Sequence, residues 1–249
     1  MNFLVIGEKC KDVFVYGEVT RLSPEAPVPV FKPTRKVENL GMAANVYNNL
    51  FNLIEHKASV VGHFSTENII KTRYVDDKSN HYFIRVDEND TADRIKISPH
   101  LIKIIHNSDC IILSDYDKGF LSANDIYLIC QEKKDGAIIF LDTKKKLKPA
   151  ILDQVDFVKF NESEYNLNIN TSEQFTKKII VTKGGEGAYY DGQDFPSEKK
   201  LTIDVSGAGD TFLAALAFYF MTSQDIKKAI QEANKSACKV VSERGVSVI

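Results

Sequence analysis

The residues best placed to do chemistry are Asp204-Val205-Ser206-Gly207-Ala208-Gly209-Asp210-Thr211. Two glycines around an alanine let the backbone approach a ligand closely and turn its N–H groups outward. The run Phe212 to Phe220 is apolar nearly all round and reads as a helix buried against a sheet. Gly207-Ala208-Gly209 therefore sits at a helix N-terminus, where unpaired N–H groups and the dipole attract anions. Asp210 has two readings. Either it caps the helix, or it takes the proton of an attacking hydroxyl while the amides of Gly207, Ala208 and Gly209 hold charge on a transferring phosphoryl group. The loop is neither a P-loop nor a dinucleotide turn.

The elements that must position this loop follow from hydrophobic patterning. Phe3–Ile6, Ala58–Val61, Cys110–Leu113, Ala137–Leu141, Asp156–Phe160 and Lys178–Thr182 read as buried strands. Helical patterns open at Gly41 and run to Ile54, and span Ser98–His106, Ser122–Lys134 and Gln224–Glu243. The alternation predicts an α/β fold, a doubly wound and mostly parallel sheet. Ligands bind at the C-terminal ends of such strands, which here are polar: Gly7–Asp12, Ser114–Gly119, Asp142–Lys144 and Asn161–Glu164. Val13–Tyr16 reads as a further strand with a turn at Gly17-Glu18. Arg21–Phe31, dense in proline, is either a surface loop or extended edge structure.

A chain of 249 residues suits one domain, expected over 1–249. No apolar run reaches membrane length, and a net charge of −2 argues against nucleic acid or an anionic membrane as partner. Neither a leader segment nor a second catalytic half is expected. The four cysteines lack C-x-x-C spacing, as in reduced cytoplasmic proteins, and the histidines form no zinc motif.

The stretch Asp204–Asp210 resembles the D-T-x-G-A-G-D signature of the ribokinase-like (PfkB) carbohydrate kinases. Arg21-Leu22-Ser23-Pro24-Glu25-Ala26-Pro27-Val28-Pro29 is similar to the R-I-S-P-E-A-P-V-P stretch of the heptose-7-phosphate kinases within that family. Gly41-Met42-Ala43-Ala44-Asn45 resembles their G-G-A-A-N, and Tyr82–Asp87 their Q-L-I-R-L-D. Ser114–Gly119 matches S-D-Y-x-K-G, and Asn161 with Glu164 matches the wider family's N-x-x-E. The likeness runs from Gly7 to Val246, short of one αβ unit of roughly 30 residues between Gly62 and Lys71.

This resemblance implies a ribokinase-like fold with a small β-sheet lid from about 13–36 and 72–87. It also implies an ATP- and magnesium-dependent sugar kinase of the cytoplasm, dimeric through its lid, acting on heptose 7-phosphate. Asp210 would be the base. Asp12, Gly41, Asn45, Arg85 and Lys144 would surround the sugar. Asn161, Glu164, Thr182, Gly184, Gly187, Ser206 and Asn234 would serve the nucleotide, with Glu164 reaching magnesium through water. Arg21, Arg85, Lys118 and Lys144 would share one cleft as cations for a distal phosphate. The residues alone leave bland readings open: Asn45 as a first-turn cap, Asn161 and Glu164 as a capping box, Lys144 as solvated surface. Two departures stand out. Met42 replaces a hinge glycine, and Glu8 replaces an Asp, extending one methylene toward the sugar pocket. The other readings are a kinase for another sugar or nucleoside, and a catalytically weak protein that binds nucleotide or sugar phosphate.

Overall fold

The computed structural model describes residues 1–55, 57–198, 204–242 and 248–249. The expected strand end Leu201–Ile203 and terminal loop Arg244–Ser247 lie outside them. Strand β1 (Asn2–Gly7) passes through Glu8 into β2 (Lys9–Leu22), which returns as β3 (Pro29–Met42) and enters helix α1 (Ala43–Leu53). Next come β4 (Ser59–Phe64), β5 (Ile69–Asp76), β6 (Tyr82–Glu88), α2 (Pro99–Asn107), β7 (Cys110–Asp115) and α3 (Ala123–Gln131). Then follow β8 (Ile138–Thr143), α4 (Pro149–Gln154), β9 (Phe157–Asn161), α5 (Glu162–Ser172) and β10 (Ile179–Thr182). The hairpin β11 (Ala188–Tyr190) and β12 (Gln193–Phe195) precedes α6 (Ala208–Ser223) and α7 (Ile226–Val240).

Eight strands form the main sheet in the order β12-β11-β10-β9-β8-β7-β1-β4. From β4 to β10 the pairs are parallel, and β11 and β12 add an antiparallel edge. Alternation of side chains across the sheet divides the core. Phe3 and Val5 pack with α1, α6 and α7, while Leu4 and Ile6 pack with α2, α3 and α4. Phe212 to Ala217 of α6 are all buried, as expected of a helix enclosed by two neighbours and a sheet. The first turn of α6 is thereby anchored, which a site at that turn requires. β4 is the outer strand of its end of the sheet, next to the shortened stretch. No described helix is long and apolar enough to cross a membrane.

The lid is a second sheet of four strands, β3-β2-β5-β6. It begins earlier than the sequence suggested, since Lys9–Asp12 belongs to β2 instead of a loop after β1. Gly17-Glu18 is no turn either. The strand continues through a bulge at Tyr16/Gly17, where a β-carbon on Gly17 would stand 2.3 Å from the Lys32 carbonyl oxygen. Glycine serves that close approach. Pro29 and Pro33 lie in β3, an edge strand, where a missing N–H costs no ladder bond. Helix α5 carried no clear signal, because Leu167 and Ile169 are exposed and leave no apolar stripe. Met42 keeps φ at +59° although it is not glycine, a conformation that costs a residue with a β-carbon about 1–3 kcal/mol.

Candidate active site

Asp210 lies in the first turn of α6 and is buried. Its Oδ2 accepts from Asn45 Nδ2 at 3.0 Å, and its Oδ1 accepts from the Tyr116 hydroxyl at 2.5 Å. Asn45 in turn accepts from Asn49 Nδ2 at 3.1 Å, and Thr211 Oγ1 donates to Asn49 Oδ1 at 3.1 Å. Adjacent residues of α6 are thus bolted to successive turns of α1. Burial raises the Asp210 pKa from 3.8 to about 6, the bonds from Tyr116 and Asn45 work against the rise, Asp142 adds to it and Lys159 opposes it. This is the range for a general base near neutral pH.

Gly207 precedes the helix at φ +83°, the left-handed region. The Ala208 N–H donates to the Val205 carbonyl at 3.2 Å, so the expected row of three outward amides is corrected. Among the described residues, Gly207 and Gly209 have no acceptor for theirs.

Three cavities meet around this turn. The largest, about 780 Å³, is lined by Asn161, Thr182, Gly184, Gly187 and Asn234 with the apolar Val205, Phe212, Ala237 and Val241. A second of about 180 Å³ lies between Tyr116, Asp142, Lys144, Lys159, Glu164 and Asp210. A third of about 130 Å³ opens under the lid, between Asp12, Lys71, Arg73, Arg85, Lys144 and Asp210. Lys159, Asn161 and Gly209 wall both the first and second; Tyr116, Lys144, Gly207 and Asp210 wall both the second and third. Asp210 therefore stands where the middle cavity meets a small pocket walled by four cations and Asp12, and the middle cavity adjoins the large, partly apolar cleft at Lys159, Asn161 and Gly209.

The carboxylates of the middle cavity are arranged for charge. Asp142 accepts from Lys159 Nζ at 2.6 Å, both buried. Burial disfavours the lysine's charge, but Asp142, Glu164 and Asp210 around it hold its pKa above the ordinary value. Asn161 and Glu164 form a reciprocal capping box at the start of α5, with bonds of 2.9 and 2.8 Å. The cap occupies Glu164 Oε2. Burial, then Asp142, raise the Glu164 pKa. No described group of three His, Cys, Asp or Glu could itself hold a metal. Asp142, Asn161 and Glu164 fit an oxygen-seeking ion that keeps several of its waters, as magnesium does.

Several expected residues sit elsewhere than expected. Asn45 is fully buried and its carboxamide is spent on Asp210 and Asn49, so it orients the acid instead of facing a sugar. Gly41 makes room for Asp12, since a β-carbon there would stand 1.9 Å from Asp12 Oδ2. Ser206 lines the lid pocket, not the large cleft, and shares the Tyr82 hydroxyl at 3.2 Å. Arg85, paired with Asp87, and Lys144 face the lid pocket, but Arg21 is exposed near the hairpin and Lys118, paired with Asp90, does not line it. Lys71 and Arg73 take their places. Their spacing by two along β5, opposite Asp87 and Arg85 of β6, was the signal that could have revealed them. Glu8 does not line the lid pocket. It is fully buried, and its carboxylate accepts from the backbone N–H groups of Tyr116, Lys118 and Phe120 at 2.8, 3.0 and 3.3 Å. It staples the loop that carries Tyr116, whose ring lies 4.6 Å from Lys144 Nζ.

Residues 65–248 match the family model described as pfkB family carbohydrate kinase. The chain belongs to this family. As a pfkB carbohydrate kinase, it is a phosphotransferase with an alcohol as acceptor. The fold of the kinase agrees. It is similar to the ribokinase of Thermotoga maritima, with a TM-score of 0.72, 16% identity and coverage of 98% of this chain and 94% of that one. It is also similar to phosphofructokinase-2 of Escherichia coli, with a TM-score of 0.74, 11% identity and coverage of 100% and 94%. Among curated proteins it is 30% identical to the bifunctional protein HldE of Campylobacter curvus, over 98% of this chain and 62% of that protein. The HldE of Helicobacter pylori is 31% identical, over 98% and 63%. The kinase thus spans somewhat less than two thirds of the length of these relatives. The first of these alignments runs to 298 positions, about 50 more than this chain contributes, which agrees with a shortened chain.

Proposed function

We propose that this kinase transfers the γ-phosphoryl group of ATP to a hydroxyl of a phosphorylated sugar, with the anomeric hydroxyl of heptose 7-phosphate as the first candidate. The observation that carries the acceptor class is the crowding of Lys71, Arg73, Arg85 and Lys144 around the pocket on the lid side of Asp210. Burial pulls the Lys71 pKa down, so an anion in that pocket would relieve a cost that a free sugar would leave standing. The similarity to the HldE proteins points the same way.

In this reading the acceptor hydroxyl meets Asp210, which takes its proton. Asn45 and Tyr116 hold the carboxylate still. Asp12, itself held by Arg73, faces the sugar hydroxyls. The amides of Gly207 and Gly209 stabilise charge on the phosphoryl oxygens. The large cleft receives the nucleotide, with Thr182, Gly184, Gly187 and Asn234 along its walls and the apolar patch for a base. Asp142, Asn161 and Glu164 would hold magnesium through its waters; when bound, that ion offsets phosphate charge.

A panel of sugars and sugar phosphates, assayed for ATP consumption, tests this directly. Sugar phosphates are expected to be used far better than the same free sugars. Lys71→Met should raise KM for the phosphorylated acceptor about 10–100-fold with little change in kcat, the size of one charged hydrogen bond lost from ground and transition state alike. Equal use of free and phosphorylated sugars would remove the acceptor class and leave the kinase. One observation favours a smaller sugar phosphate as the second reading. The Met42 side chain lines the lid pocket where the heptose kinases carry glycine, and the panel separates the two.

The lid also supports a homodimer. Its inner face carries Asp12, Phe14, Tyr16 and Arg73, so alternation leaves Val15, Phe31, Ile70, Tyr74 and Ile84 on the outer one. Ile84 is 57% exposed there. An apolar stripe bordered by Lys11, Lys36, Glu38 and Glu88 suits a second copy of itself. Sedimentation is expected to give a dimer that Ile84→Glu converts to monomer; a monomeric wild type at high concentration would refute it.

A further inference from the structure

Lys159 was not singled out by sequence, and nothing in the capping box or the glycine loop accounts for it. It projects from β9, with its side chain 7% exposed. It is the one cation among the described residues that line the large cleft, and it also lines the cavity of Asp210. A β-carbon placed on Gly209 would lie 3.4 Å from its Nζ. The ammonium therefore stands over the second glycine of the loop, beside an amide that has no acceptor among the described residues. Lys144 occupies the opposite side, shared by the middle cavity and the lid pocket. A phosphoryl group moving from the large cleft toward Asp210 leaves a cavity lined by Lys159 and enters one lined by both lysines.

A bland account exists: Lys159 pairs with Asp142 at 2.6 Å and serves structure alone. Buried ion pairs stabilise poorly compared with apolar residues of the same size, and both members face the middle cavity while Lys159 also faces the large cleft. Three carboxylates, Asp142, Glu164 and Asp210, are near enough to act on this one ammonium. An arriving polyphosphate, with its own negative charge, would compete for it at the spot where the Gly209 amide already points.

We propose that Lys159 is a catalytic residue that grips the terminal phosphoryl group of the donor and follows it toward the acceptor. The inference rests on ATP as donor. Nothing is bonded to Lys159 in the step. The oxygen of the acceptor forms its bond to phosphorus, the bond to the leaving ADP oxygen breaks, the proton goes to Asp210, and Lys159 holds charge throughout.

The test compares Lys159→Met, Lys159→Arg and the double variant Lys159→Met/Asp142→Asn with wild type. Calorimetry with ATP and with ADP, acceptor omitted, reads the contact apart from turnover. Lys159→Met should weaken ATP binding at least about 10-fold while changing ADP binding less than about 3-fold, because only ATP carries the gripped group. Its kcat should fall about 10²–10³-fold, the range for removing one donor that stabilises developing charge. Lys159→Arg should keep the preference for ATP and part of the activity. The double variant removes both charges of the pair and keeps the test if Lys159→Met alone does not fold. Since Asp142 is itself assigned to magnesium, this variant is read by ATP against ADP binding without magnesium and should show the same loss of preference for ATP. Retention of the preference for ATP over ADP in the double variant, or equal loss of ATP and ADP binding in Lys159→Met, overturns the proposal and leaves Lys159 as a structural partner of Asp142. Wild-type protein that binds neither nucleotide overturns the donor assignment and this inference with it.

Discussion

Asp210→Asn should lower kcat about 10²–10⁴-fold, the range for removing a general base, while both substrates still bind. The asparagine keeps the shape and can still meet Asn45 and Tyr116, but it cannot take a proton. In wild type, kcat should rise through pH 6 and level off above it, since the Asp210 pKa is pushed up to about 6 and the ionised form is the active one. The same shift carries a stability cost of definite sign. Between pH 4 and 6 the folded chain holds a proton at Asp210 that the unfolded chain has released, so stability falls as pH rises through that window and is flat above it. The full cost is about 3 kcal/mol, from roughly two pKa units. At pH 8 the variant should therefore unfold at a higher temperature than wild type, and the advantage should vanish below pH 4. A stable and fully active variant would make Asp210 a helix cap.

Glu8→Ala should be the most damaging change to folding. It strips the shared acceptor from the N–H groups of Tyr116, Lys118 and Phe120 in a fully buried setting. Buried donors left unpaired cost about 1–3 kcal/mol each; the bonds from Tyr116 and Lys118 are only part-buried and sit at the low end, so a loss of about 3–5 kcal/mol is expected. That is a large share of the roughly 5–15 kcal/mol that holds a typical domain. Glu8→Gln retains one acceptor oxygen and should lose less than half as much. Chemical unfolding of the two variants measures the difference. Turnover per folded molecule should also fall in Glu8→Gln, because Tyr116 is held by that loop and itself holds Asp210. Glu8→Asp supplies the residue of the heptose kinases. A change in acceptor preference without a loss of stability would return Glu8 to the sugar pocket.

Much of this was legible in the residues themselves. The strand and helix order follows from apolar runs that alternate with polar strand ends, because a sheet covered on both faces needs continuous apolar strands. Ser122 announced its helix, since a cap is a local contact within four residues. Gly207-Ala208-Gly209-Asp210 declared a glycine turn with an acid at a helix start for the same reason. Elements without an internal pattern escaped: α5 is too polar, and β11 and β12 too short, for periodicity to speak.

What no local pattern contained is who meets whom across the chain. Asp210 meets Asn45 across 165 positions and Tyr116 across 94. Glu8 reaches its amides across more than 100. The sequence by itself determined that an acid and a glycine turn exist, and on which elements they ride. Only the tertiary structure decided that Asn45 serves the acid instead of a sugar, that Glu8 braces a loop, and that Lys71 and Arg73 replace Arg21 and Lys118 as the cations of the pocket. The physical reason is that side-chain direction on a strand follows its register with neighbours. One residue of slip turns a cation from the pocket to solvent, and the bulge at Tyr16/Gly17 and the early start of β2 are register features that pairing, not composition, sets.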